Sequence, residues 1–396
     1  MTLQRGFRFF LHTIFLIACQ PDSSERHTAT APAIVPAAKP VPAKPAAIVF
    51  DRALDDAAKV MAGMPVKGLL GFTSICQSEG WRRCAAAMDS SWSQVERQRF
   101  SRMKAWRDTE LAAAQAATNV LYPFSGPDFI HAHTLFPNAT NYHLFGLEPI
   151  GSLPDFARQS PNEVVNYCEA VQKALRDVFR RSYFLTKRMH HDLPRINGAV
   201  PLICVFLVRT GNTITRIQPM MIAKTGQPMD WKGADTGLPK NTPRLVRIEF
   251  LDGQTHARKS VYYYAGDLSD AGLQARPAVA EYFAQLPGGC AGYLKSASYL
   301  LHYASFSAIR NSMLQKCQTL LQDDTGIAYE YFDMAAWNIQ LYGVYLPPIA
   351  EFKNRHQTEL QQMYRDSAAV RPLPFDLGYH WGTHKDNLLW AVRKKG

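Results

Sequence analysis

Residues 119–148 constrain the fold of this 396-residue chain more than any other stretch. Asn119–Phe124 reads as a strand and runs directly into Ser125-Gly126-Pro127-Asp128. That is a turn sequence: glycine reaches positive φ at no steric cost and proline pre-sets its own φ. A short helical or irregular piece follows, and Tyr142–Leu147 reads as a second strand that stops at Glu148. Strand, turn and strand are then followed by helical patterns, which predicts an α/β domain rather than an all-α or all-β one.

The remaining segments fill in that domain. Asp51–Met61 reads as a short amphipathic helix, and Ser90–Ala117 as a longer one with Trp92, Val95, Met103, Trp106 and Ala113 at helical spacing. Asn162–Met189 carries the apolar stripe Val165, Cys168, Val171, Leu175 and Phe179. Ala199–Val208 is apolar throughout, as a central strand buried on both faces would be, with Pro201 near its start. Arg244–Leu251 and His256–Tyr264 flank Asp252-Gly253, a hairpin signal. Ser305–Leu321, Tyr331–Tyr342, Phe352–Arg365 and Lys385–Val392 read as helices. The expected architecture is a mixed sheet covered by helices, with an antiparallel hairpin on it.

The first residues carry an address. Arg5 and Arg8 precede an apolar run, Phe9–Ala18, that is too short to span a bilayer, for which about 20 residues are needed. It has the proportions of a signal-peptide core, so residues 1–18 are set aside from the fold. The run ends in Leu16-Ile17-Ala18-Cys19, which resembles the lipobox of bacterial lipoproteins. The resemblance implies cleavage before Cys19, acylation of that residue and a membrane tether in the cell envelope. Gln20 stands where an aspartate would hold such a protein at the inner membrane, so the outer membrane, facing the periplasm, is expected. Residues 19–48 are the anchor and a linker. From His27 to Ala47 alanine and proline dominate, a composition that favours an extended stalk over a packed core. Residues 49–396 are expected to form a single domain.

In an oxidising envelope the other cysteines are free to pair, and Cys76 with Cys84, which close a short loop, are the first choice. No pair has metal-ligand spacing. The formal charge of +11 suits anionic lipid or polysaccharide surfaces, and the address argues against nucleic acid.

Gly126 placed after Val120-Leu121, with an acid closing the second strand, resembles the opening half of Rossmann-like methyltransferases. There the glycine turn approaches a cofactor and the acid binds a ribose hydroxyl. Pro127 and Asp128 occupy positions where further glycines would stand, so the expectation is a similar fold with no cofactor. Phe-Ser-Gly-Pro-Asp (124–128), Gly-Leu-Glu-Pro (146–149) and Gln-Asp-Asp-Thr-Gly (322–326) together are also similar to a family of uncharacterised bacterial envelope proteins, which implies no activity.

Chemistry-bearing residues crowd the same region. Ser125 sits at a strand-to-turn junction but lacks a Gly-X-Ser-X-Gly elbow. His131 and His133 would share one face of a strand, where imidazoles with Asp128, His143 or Glu148 suit zinc, but would diverge on a helix. Polar residues satisfying turn and edge backbone explain them more simply, and no metal is expected. Asp323-Asp324-Thr325-Gly326 has no second copy to complete an aspartic-protease pair and reads as a turn. Lys295 and Ser298 run in the order opposite to the Ser-X-X-Lys of penicillin-recognising enzymes. The leading expectation is therefore a lipoprotein whose domain binds a ligand, an envelope glycan or a protein partner, without catalysis. The competing one is an envelope hydrolase centred on Ser125, Asp128, His131, His133 and Glu148, and a further alternative is a methyltransferase-type fold.

Overall fold

The computed structural model describes residues 50–66, 70–231, 244–366 and 368–394. The leader, Cys19 and the Ala/Pro-rich stretch lie outside the described residues. Contacts gather into a unit spanning Ile48–Gly396.

The chain opens with helices α1 (Arg52–Met61), α2 (Leu70–Gln77) and α3 (Glu79–Val95). A single π-helical turn, Glu96–Phe100, joins α3 to α4 (Ser101–Glu110). Strand β1 (Asn119–Tyr122), helix α5 (Phe129–Leu135) and strand β2 (Asn141–Gly146) come next. Three helices follow, α6 (Pro161–Arg181), α7 (Thr186–Ile196) and α8 (Val200–Arg209). Then come β3 (Thr213–Ile222), β4 (Pro228–Asp230), β5 (Arg244–Leu251) and β6 (Arg258–Ala265). Helices α9 (Asp270–Gln274) and α10 (Pro277–Gln285) lead into β7 (Cys290–Leu294). The chain closes with α11 (Ser307–Lys316), β8 (Cys317–Gln322), β9 (Trp337–Gly343), α12 (Thr358–Asp366) and β10 (Asn387–Arg393).

The strands form one sheet in the order β4-β3-β5-β6-β2-β1-β7-β8-β10-β9. Its centre, β6-β2-β1-β7-β8, is parallel, and both flanks are antiparallel. Counted along the chain, those five central strands run third, second, first, fourth, fifth, which is the doubly wound order of a Rossmann-like sheet. The mixed α/β architecture and the 244–265 hairpin are as the sequence predicts, with β5 and β6 paired from Arg244 opposite Ala265 to Leu251 opposite Arg258. Alternation along each strand feeds two apolar layers. Val120, Tyr142 and Tyr263 face the layer packed by α1 to α8, and Leu121, Phe145 and Leu320 face the layer packed by α9 to α12.

Six segment readings are corrected. Residues 200–208 form helix α8 rather than a strand, and every one of them is buried. A short, wholly apolar run has no period to distinguish the two states. Enclosure by α1, α5, α6 and β3 settles it, and Pro201 falls in the first turn, where a helix tolerates it. The stretch 305–321 is helical only to Lys316 and then enters β8, while Tyr331–Tyr342 and Lys385–Val392 supply β9 and β10. Leu389 pairs with both Leu341 and Gln322, so cross-strand hydrogen bonds that no local pattern reveals fix these as strands. The helix expected over 162–189 breaks at Ser182, which takes a left-handed φ of 73°. Its start is strongly specified: Ser160 and Glu163 form a reciprocal capping box. The front helix begins at Glu79, capped by Ser78, instead of at Ser90.

Cys76 and Cys84 are free thiols, and Cys84 Sγ lies 3.9 Å from a Glu169 carboxylate oxygen. The thiols of Cys290 and Cys317 lie 3.3 Å apart on the adjacent strands β7 and β8.

Candidate functional site

In an open doubly wound sheet, ligands sit outside the carboxyl ends of the strands where the strand order reverses. Here that point lies between β1 and β7, and a cavity of about 730 Å³ opens over it. The loops after four parallel strands line it: Phe124–Gly126 after β1, Gly146–Glu148 after β2, Gly266–Leu268 after β6 and Lys295–Ser298 after β7. Phe306, Phe352, Tyr183 and Tyr379 give it aromatic walls.

The turn after β1 is strained and pinned. Phe124 holds a left-handed φ of 59°, and Gly126 follows at 54°. For a residue with a side chain this costs on the order of 1–3 kcal/mol and survives only where neighbours impose it. They do so through β2: Ser125 Oγ accepts from Phe145 N at 3.1 Å, and Gly126 N donates to the Phe145 carbonyl at 3.2 Å. Ser296, Ser298 and Tyr299 also have positive φ, at 50°, 53° and 56°. The strain therefore gathers on the two loops flanking the switch point.

Glu148 reaches back over the first of these turns. A Cβ at Gly126 would stand 3.3 Å from Glu148 Oε2. A Cβ at Gly146 would stand 2.8 Å from the Cα of Gly126, so the first two strand ends approach closely only because both residues are glycine. Tyr263 donates its hydroxyl to the Glu148 carbonyl at 2.9 Å and approaches Oε2 at 3.4 Å. Oε1 takes no hydrogen bond from the described residues.

Beneath the cavity lies a buried ionic cluster. Asp128 accepts from the Tyr122 hydroxyl at 2.9 Å and from His131 Nδ1 and Lys295 Nζ, each at 2.6 Å. Lys295 also donates to the Ser182 carbonyl. Burial pushes the Asp128 carboxyl up, but the histidine and lysine partners overcome it and hold the group at about 2. Burial dominates at His131 and lowers it to about 4. The imidazole is therefore neutral near pH 7, with its proton on Nδ1 and its Nε2 buried without a partner. Lys295 is likewise lowered by burial. Behind β7 and β8, Asp323 accepts from Ser296 N at 2.8 Å and Thr325 N at 3.0 Å, which ties the strained loop down. Burial and the adjacent Asp324 raise Asp323 to about 7.

The hydrolase candidates do not assemble into a nucleophile and base. Ser125, Asp128 and Glu148 line the cavity; His131 and His133 do not. Ser125 Oγ bonds only backbone groups of Gly126 and Phe145. Asp128–His131 is an i, i+3 pair at the start of helix α5, so His133 diverges from His131 and packs beside Phe129 and Tyr142. His143 is on the opposite sheet face, where its Nδ1 meets the Tyr282 hydroxyl at 2.6 Å. Among the described residues no three potential ligands gather around a metal-sized point. Asp323-Asp324-Thr325-Gly326 is the turn that leaves β8. Ser298 shares a 3.0 Å hydrogen bond with the Tyr379 hydroxyl.

Sequence reasoning found Gly126 and Glu148, gave Gly146 no role in the site, and missed Gly266 and Asp267. Each enters through a strand end or loop that sits beside β1 only in the folded sheet, and Lys295, noted only for its spacing to Ser298, meets Asp128 only there. No family model, curated protein or solved structure matches this chain.

Proposed function

We propose that this protein is a lipid-anchored envelope protein that binds a small ligand bearing a vicinal diol, the hydroxyl pair of a sugar ring, in the cavity above β1 and β7. The observation that carries the reading is Glu148: a partly exposed carboxylate with one oxygen unclaimed, held over a glycine turn at the switch point. An ionised carboxylate is an acceptor with two oxygens, and adjacent hydroxyls are its natural bidentate donors. An acid about 20 residues beyond a glycine turn is also how doubly wound sheets hold a ribose. The aromatic walls offer flat faces for a sugar ring or an attached base. Reinforcement of the turns by Ser125, Asp323 and the Asp128 cluster supports a site shaped before its ligand arrives.

Two sources supply that chemistry, an envelope glycan and a ribonucleoside. Titration calorimetry of the full chain with N-acetylglucosamine oligomers and, separately, with adenosine distinguishes them. Binding in one arm is expected, weakened about tenfold or more by Glu148→Gln through loss of a charged acceptor. Silence in both arms, or an equally tight Glu148→Gln variant, would sink the reading.

The tether has its own test. Protein from a bacterial membrane fraction is expected to have an intact mass that starts at Cys19 and includes acyl chains. Cys19→Ala is expected to abolish both the added mass and the membrane retention. Unmodified wild-type protein in the soluble fraction would remove the anchor from the proposal.

A further inference from the structure

A second cavity, also of about 730 Å³, opens on the helical layer between the α3–α4 helix and α6; it shares no lining residue with the first, although Arg181 of the first stacks on Trp381 of the second. It lies beside the π-helical turn Glu96–Phe100, and Gln98 and Arg99 of that turn line it. A π-turn widens a helix by one residue at some cost in hydrogen bonding, and such turns recur at functional sites. Arg99 is 6% exposed. Its terminal nitrogens donate to the carbonyls of Val178, Phe179 and Arg180, the unsatisfied end of α6. Its Nε is buried with no partner, and among the described residues no carboxylate lies within ion-pair distance of the guanidinium. Arg176 and Arg180 line the same cavity, exposed and likewise without an acidic partner at that distance, and Arg180 rests 5.4 Å over the Trp381 ring. The acids present are engaged or outnumbered: Asp376 accepts from His384, Glu169 faces the Cys84 thiol, and Lys173 is paired with Asp192 outside the cavity lining.

We propose that this groove is a second binding site, for a phosphate-bearing ligand, with Arg176 and Arg180 as its charged clamp and the buried Arg99 guanidinium adding positive charge behind them. Capping of α6 by its own basic residues explains Arg180 but leaves the exposed Arg176 and the cavity unaccounted for. The two exposed guanidiniums of Arg176 and Arg180 offer more donors than the two oxygens of a carboxylate use, and a phosphate supplies three acceptor oxygens that suit the arginine fork.

The phosphate could be carried by a soluble ester or by an anionic phospholipid headgroup, and the test separates them. The full chain carrying Cys19→Ala, so that no acyl anchor contributes, is titrated with glycerol 3-phosphate and, in parallel, with vesicles of phosphatidylglycerol in phosphatidylcholine. Binding in one arm is expected, falling with added salt and weakened about a hundredfold by Arg176→Ala/Arg180→Ala, roughly tenfold for each charged contact. Both side chains are exposed, so losing the α6 cap and the Trp381 contact of Arg180 should lower the thermal midpoint by only about 2–4 °C, and binding of any ligand in the first cavity should be unchanged. Absence of binding in both arms, or a double variant that binds as tightly as its parent, overturns the proposal.

Discussion

Asp128→Ala is expected to destabilise the protein by about 3–5 kcal/mol, the cost of stripping one partner from a buried ion pair. The carboxylate accepts from Tyr122, His131 and Lys295 at once. Asp128 and Lys295 are each 2% exposed and His131 is fully buried, so the cluster is largely cut off from solvent. What remains in the variant is a buried ammonium with the Ser182 carbonyl but no counter-ion, a phenol without its acceptor and an imidazole N–H with nowhere to donate. A domain's whole stability is typically about 5–15 kcal/mol, so the effect is a large share of the total. Urea unfolding followed by tryptophan fluorescence measures it. Asp128→Leu combined with Lys295→Met removes both charges, and it is expected to recover much of the loss. A shift under about 1 kcal/mol for Asp128→Ala would show that the cluster is not what holds the first turn in place.

Stability is expected to peak near pH 6.5 and to fall steeply on the acid side. Burial lowers His131, His143 and His302 to about 4 and His133 to about 3. Each of these rings has its Nε2 buried without a partner, so protonation in the native state would create a buried, unpaired N–H and charge. An unfolded histidine takes its proton near 6.5. Between about 4 and 6.5 the unfolded chain therefore binds more protons at these sites, and the stability they contribute above 6.5 is lost as pH falls. Asp323 and Asp386 act in the opposite sense. Burial raises both to about 7, so the native state keeps protons that the unfolded state has released. Their contribution is full below about 4 and disappears as pH rises through 7. Burial raises Asp56 and Asp324 as well, which trims the slope further.

Four histidines against these carboxyls leave a net loss on the order of 1–3 kcal/mol per pH unit on acidification below 6.5. Above 6.5 only the aspartates titrate, and stability declines through pH 7. Thermal midpoints measured from pH 4.5 to 8 check both limbs. A midpoint that is flat from pH 5 to 6.5 would mean that the histidines reach solvent or acceptors in the native state.

The sequence by itself determined the pieces whose cause is local. Gly126 and Pro127 forced a turn after an apolar strand, and Ser160 with Glu163 started a helix by capping it. Asp252-Gly253 closed a hairpin whose register holds along both strands. These are contacts between near neighbours, so composition and spacing carry them. Glu148 was legible for the same reason: it is the first polar residue after an apolar strand.

The tertiary structure decided the rest. The run 200–208 is apolar at every position, and only enclosure by helices on one side of the sheet makes it a helix. Trp337–Gly343 and Asn387–Arg393 became strands because they pair with each other and Asn387–Arg393 also pairs with β8, partners separated by dozens of residues. The grouping of site residues was decided in the same way. Alternation along adjacent strands sent His143 to the opposite face from the Asp128 cluster, and the helical geometry of α5 turned His133 away from His131. Lys295, 164 residues beyond His131, reached Asp128 only when β7 docked beside β1. Hydrogen-bond pairing between distant strands has no local signature, and it set which charges share a buried space.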